Sequence, residues 1–186
     1  MVAISALWLP IVLSAVLVFV ASSVVHMVLT YHRSDYAKLP NEEKLLGAIR
    51  AESVPAGEYL FPHMTMQEMR SPEGAEKFKK GPVGMLTLRP SGPMTMGKPF
   101  VQWFVFSVVV GVFAAYVAGR KLSAGTPYLP VFRVVGTVAF LTYAGGAPIA
   151  SIWRGQSWST TLKHSFDGLL YGLLTAGTFG WLWPKM

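Results

Sequence analysis

Charge is missing from four long stretches of this chain. The first 25 residues contain no Asp, Glu, Lys, Arg or His, and three more uncharged runs cover residues 99–119 (21 residues), 134–153 (20) and 168–184 (17). An α-helix rises about 1.5 Å per residue, so roughly 20 apolar residues cross the ~30 Å hydrocarbon core of a bilayer. The pattern predicts an integral membrane protein. Its fold class is all-α, a transmembrane four-helix bundle with spans at about 3–31, 99–119, 130–153 and 162–183. Residues 1–25 have no basic leader and no small-residue cleavage motif, which predicts an uncleaved first span rather than a signal peptide.

The 186 residues leave room for a single membrane domain, interrupted by a 67-residue polar segment at 32–98. That segment holds ten of the Lys/Arg and eight of the nine acids, so the net charge of +7 is not a basic patch for nucleic acid. With no cysteine, disulfides, thiolate chemistry and cysteine-ligated iron–sulfur or c-type haem groups are excluded. Close to the membrane, Arg33, Lys38, Lys44, Arg89, Lys98, Arg154 and Lys163 fall on one side, and Arg120, Lys121, Arg133 and Lys185 on the other. The positive-inside rule then puts the 32–98 segment in the cytoplasm and both termini in the periplasm of a bacterial inner membrane. Trp8, Trp103, Trp153, Trp181 and Trp183, with Tyr31, Tyr128 and Trp158, fall near the predicted interfaces and read as headgroup anchors.

Within the polar segment, Asn41 followed by Glu42 and Glu43 predicts a helix start, running to about Glu52. Ser71-Pro72-Glu73 predicts a second start, ending in Lys77, Lys79, Lys80 and Gly81. From Gly81 to Pro99 the composition predicts an extended Gly/Pro-rich arm with a short strand at 83–88.

Small residues one turn apart allow helices to approach closely. Gly111, Ala115 and Gly119 form one such row, and Gly168, Gly172 and Ala176 another. Gly145-Gly146-Ala147-Pro148 predicts a break in the third span near 143–146. The ionisable residues at membrane depth are His26, Arg154, His164 and Asp167, a candidate intramembrane polar cluster. The cluster supports a proton or ion relay, or a histidine ligand to a haem or chlorin metal. It equally fits Asp167 capping its helix while pairing with Arg154 or His26. His26 and His32 are six apart, a spacing that does not place them together on a helix. No catalytic constellation and no metal-ligand spacing is present, so neither an enzyme nor a metal site is expected.

Residues 22–27 (SSVVHM), 32–36 (HRSDY), 80–84 (KGPVG) and 162–169 (LKHSFDGL) resemble a family of small bacterial four-span inner-membrane proteins, usually labelled hypothetical. The resemblance spans nearly the whole chain. It implies an inner-membrane location and brings no activity or site residues.

Together these features predict a non-catalytic accessory subunit of a larger membrane-embedded, energy-converting assembly, photosynthetic or respiratory. Its partners would be other integral membrane subunits and the lipid bilayer. No cofactor is required, and a bound lipid or pigment is compatible. The alternative is a small ion, proton or solute channel or transporter subunit using His26 and Asp167.

Overall fold

The computed structural model describes residues 1–185. It is mostly helical, with one small sheet, and so departs from a purely all-α fold. In chain order the elements are α1 (Trp8–Ser23), α2 (Glu42–Ala51), β1 (Gly57–Phe61), α3 (Met66–Met69), α4 (Pro72–Lys80), β2 (Gly84–Leu88), α5 (Gly97–Lys121), α6 (Tyr128–Ala144), α7 (Ala147–Arg154) and α8 (Trp158–Trp181). They divide into two compact units. One comprises residues 1–35, 95–152 and the chain from Gln156 on; the other comprises Tyr36–Met94 with Trp153–Gly155.

In the first unit three helical stretches are long and apolar enough to cross a membrane: Ile4–Val28, Gly97–Lys121 and Tyr128–Arg154. Ile4–Val28 joins a short 3-10 turn, α1 and a π-helical turn. It ends at Val28 rather than at residue 31, because Leu29 turns extended. The third stretch is broken between α6 and α7 at Gly145–Gly146, just ahead of Pro148. Helix α8 has a similar length but carries Lys163, His164 and Asp167 in its first half. It begins at Trp158, four residues before the expected start, because the Ser157 hydroxyl accepts a hydrogen bond from the Thr160 amide at 3.1 Å.

The helices of this unit pack α1 against α5 and α8, and α6 against α5 and α8. Small residues set the spacing. A Cβ on Gly111 would lie 3.3 Å from Ile11, and one on Gly119 only 2.5 Å from the Val2 carbonyl oxygen. Along the α6–α8 seam Gly180 meets Tyr128, Ala176 meets Gly136, Gly172 meets Phe140 and Gly168 meets Ala144. The two helices therefore run antiparallel beside each other over the full length of α6. The interior mixes small side chains, among them Ala15, Ala114, Ala115, Ala118 and Ala139, with larger ones such as Leu7, Val131, Val135 and Phe179, while Val16, Leu17, Phe113, Leu141 and Leu173 face outward. The small residues at the helix contacts permit close backbone approach, the attractive term where lipid is as apolar as leucine.

The second unit takes most of the polar segment. Strands β1 and β2 pair antiparallel, with Gly57 opposite Leu88, Tyr59 opposite Leu86 and Phe61 opposite Gly84. Strand β2 matches the strand expected at 83–88, but β1 and the single-turn α3 were not anticipated. Helix α3 is held by a reciprocal cap between Thr65 and Glu68, and α4 by Ser71, whose hydroxyl accepts from the Gly74 amide at 3.0 Å. Asn41 precedes α2 but does not cap it: its backbone is left-handed (φ 51°) and its side chain makes no capping bond.

Candidate functional site

The first unit gathers most of its ionisable groups at one end. The π-helical turn at Val24–Val28 presents His26, and extended Leu29 reverses the phase of the helix. A 3-10 turn at Tyr31–Asp35 then brings His32 back. The His26 and His32 rings stack with centroids 4.5 Å apart and planes 10° apart. Helix α8 contributes Lys163, His164 and Asp167.

Hydrogen bonds tie these groups into one network. The His32 Nδ1 lies 2.6 Å from Asp35 Oδ2, and its Nε2 lies 2.9 Å from Asp167 Oδ2. The Tyr31 hydroxyl donates to the other oxygen of Asp167. Lys163 Nζ donates to Asp35 Oδ1 at 2.6 Å and to the Tyr31 carbonyl at 2.7 Å. His26 Nδ1 lies 3.0 Å from the Ser22 carbonyl oxygen. Both carboxylates are only 4% exposed. Burial alone raises the Asp35 carboxyl, but the Lys163 and His32 hydrogen bonds outweigh it and hold the group below the usual carboxylate range.

Beside this network is a cavity of about 700 Å³. Phe19, Phe100, Trp103, Tyr143 and Tyr171 supply an aromatic lining, and His26, His164 and Asp167 supply polar groups. The Tyr171 hydroxyl is buried and has no hydrogen-bond partner among the described residues. Trp103 donates from Nε1 to the Ser22 hydroxyl at 2.8 Å and packs edge-on against Tyr171 at 5.8 Å.

Of the four residues expected to form the polar cluster, the structure brings together His26, His164 and Asp167. Arg154 belongs to the other compact unit and makes no ion pair among the described residues. Asp167 does not cap its helix, since α8 has already run for nine residues before it. The residues that sequence reasoning missed are His32 and, around it, Tyr31, Asp35 and Lys163; for His32 the reason is its spacing. Its spacing from His26 argues against contact only if the helix continues, and the helix stops at Val28. One sequence signal pointed the other way: Asp167 is the one acid outside the 32–98 segment, and a buried acid needs cationic or donor partners.

The aromatic anchors also divide. Trp8, Trp153 and Trp181 are well exposed, whereas Trp183 is buried, with Nε1 donating to the Ser123 carbonyl at 2.9 Å. Trp103 forms part of the cavity wall and ties α5 to α1. The small-residue rows Gly111, Ala115, Gly119 and Gly168, Gly172, Ala176 are occupied by the chain's own helices.

These features define a multi-pass helical membrane protein with a polar site at one end of its helices. Among curated proteins, a UPF0756 membrane protein of Aggregatibacter aphrophilus is 32% identical over 78 residues, covering 37% of this chain and 52% of that protein. The chain thus spans about half the length of the curated relative it matches. The likeness is to a bacterial membrane protein, over part of each chain. No family model matches the chain. No solved structure matches it either.

Proposed function

We propose that the chain is a four-span inner-membrane protein that binds a small amphipathic molecule between its helices. The ligand has a largely apolar, ring- or chain-like body and a hydrogen-bonding head. The body lies against Phe19, Phe100 and Trp103, and the head meets Tyr171, Asp167 and His164. The observation that carries this reading is the Tyr171 hydroxyl, buried without a partner on the wall of an aromatic cavity. Leaving such a group unsatisfied costs about 1–3 kcal/mol, a cost that a ligand head would remove.

The fourth span in this reading is α8. It lies beside α6 from Tyr128 to Ala144, so it traverses the same depth as a helix apolar enough to cross. The 32–98 segment faces the cytoplasm and the termini the periplasm, on the strength of the Lys/Arg distribution.

A conducting role has less support. Beyond the cavity the helices close on Leu7, Ile11, Val131, Val135 and Phe179, all at most 5% exposed, and this apolar plug offers no relay groups. Docking into a larger complex through the small-residue rows is also less economical, because those rows are already filled. An accessory subunit would have to use the outward apolar surface.

The test is organic extraction of the purified protein followed by mass spectrometry. A cavity-filling variant, Ala150→Trp, serves as comparison; Ala150 lines the cavity. The wild type should retain about one equivalent of a defined small molecule, and the variant should lose it while keeping its helical circular dichroism. Equal retention by both proteins, or nothing above the detergent background, would reject the reading.

A further inference from the structure

We infer that His26, His32, His164 and Asp167 form a binding site for one divalent first-row transition metal ion. The inference stands on the side-chain geometry and does not depend on the cavity holding an organic ligand.

One ligand atom from each of these four residues lies within 4.8 Å of all the others. The His32 Nε2 to Asp167 Oδ2 distance is 2.9 Å, and His164 Nδ1 to the same oxygen is 3.9 Å. Metal bonds of about 2.0–2.1 Å in a tetrahedral site put ligand atoms about 3.3 Å apart, between those two values. Three imidazoles and one carboxylate make a nitrogen–oxygen donor set of the borderline kind that suits zinc and its first-row neighbours. Three of the four histidines in the chain are drawn into this one place.

The outer contacts are those a metal site needs. A ligating histidine usually gives its other ring N–H to a carbonyl or carboxylate, which fixes the ring and the tautomer. His26 Nδ1 faces the Ser22 carbonyl oxygen, which can only accept, so Nδ1 carries the proton and Nε2 keeps its lone pair. His32 Nδ1 faces Asp35, itself held by Lys163. The Tyr31 hydroxyl fixes one oxygen of Asp167 and leaves the other toward His32 and His164. A neutral His32 can donate only once, yet both its nitrogens face carboxylate oxygens. An imidazolium satisfies both contacts with a second proton, and a neutral ring satisfies them with a cation at Nε2; the proposed site takes the second form, the ion displacing that proton and drawing in the two remaining imidazoles.

The experiment uses the full chain, produced without a polyhistidine tag, stripped with chelator in detergent and titrated with Zn²⁺ and, separately, Co²⁺. The wild type should bind one Zn²⁺ per chain, and Co²⁺ should give the visible absorption of a tetrahedral nitrogen–oxygen site. His164→Asn and His26→Asn should each weaken Zn²⁺ at least about tenfold, and Asp35→Asn should weaken it about tenfold through His32. His63→Asn alters the one histidine outside the cluster and should leave stoichiometry and affinity unchanged. Failure of the wild type to bind Zn²⁺ at 100 µM, on the order of a weak surface site, would overturn the inference without any variant needing to fold. Equal binding by wild type and a well-folded His26→Asn/His164→Asn double variant would overturn it too.

Discussion

Two helices meet at a single nitrogen in Trp103. Its Nε1 on α5 donates to Ser22 Oγ on α1 at 2.8 Å, and that hydroxyl in turn donates to the Phe19 carbonyl at 2.9 Å. A buried hydrogen bond of this kind contributes about 0.5–1.5 kcal/mol net. Trp103→Phe and Ser22→Ala should each lower the unfolding free energy in detergent by at least that amount, and the double variant should lose less than the sum. Strict additivity would mean that the two side chains do not communicate. In the second unit, Thr65 and Glu68 cap each other, and the bond from the Thr65 backbone holds the exposed Glu68 carboxyl below its ordinary value of 4.5. A depressed carboxylate favours the folded form at pH above the ordinary value, and that advantage disappears as pH falls through the lowered pKa. The Thr65 amide resonance should therefore shift at a pH below that of an unrestrained Glu, and Thr65→Ala, which removes the hydroxyl donor but keeps the backbone one, should move the Glu68 titration only part of the way back up. A residue's spacing along the chain was a poor guide to its neighbours only where the backbone changed form. His32 was invisible as a partner of His26 because the π-turn and extended Leu29 restore a contact that a continuous helix forbids.

Among the elements, the seam between α6 and α8 is closely fitted along the length of α6. A Cβ at Gly168 would sit 2.7 Å from the Ala144 Cβ and 3.0 Å from its backbone nitrogen, neither of which can swing aside. Gly168→Val should destabilise the protein by about 1–3 kcal/mol through overpacking. Gly47→Ala in α2, where no atom lies within 4 Å, should leave it unharmed or slightly more stable. Thermal unfolding monitored by circular dichroism separates the two, and a harmless Gly168→Val would mean that the seam is looser than drawn. The rows of small residues were legible in the sequence because they need only one-turn spacing. The hairpin was only half legible. Strand β2 shows its own alternation, but Gly57–Phe61 is a strand only because β2 returns to it across α3 and α4. Pairing at such a distance leaves little local trace. Asn41 failed as a cap for a related reason: the residue type is right, but the chain arrives in a left-handed conformation that turns its side chain away from the helix amides.

The whole molecule turns on whether α8 crosses the bilayer with the other three helices. Charged residues at the centre of a span cost about 2.5–3.5 kcal/mol each on insertion scales, which argues against a helix carrying Lys163 and Asp167. Both lie in the first half of α8, however, and both are paired, Lys163 with Asp35 and Asp167 with His32. From Lys163 to Trp181 the helix still covers about 28 Å at 1.5 Å per residue, close to the hydrocarbon thickness. The absence of cysteine makes this testable with single labels. Ser91, Ser123 and Lys185 are all exposed. In intact cells a membrane-impermeant maleimide should label Ser123→Cys and Lys185→Cys, and should reach Ser91→Cys only after the inner membrane is opened. If α8 failed to cross, Lys185→Cys would behave like Ser91→Cys while Ser123→Cys still reacted from outside. If all three patterns inverted together, the four crossings would stand and the orientation read from the Lys/Arg asymmetry would be wrong, placing the histidine cluster at the periplasmic rather than the cytoplasmic end.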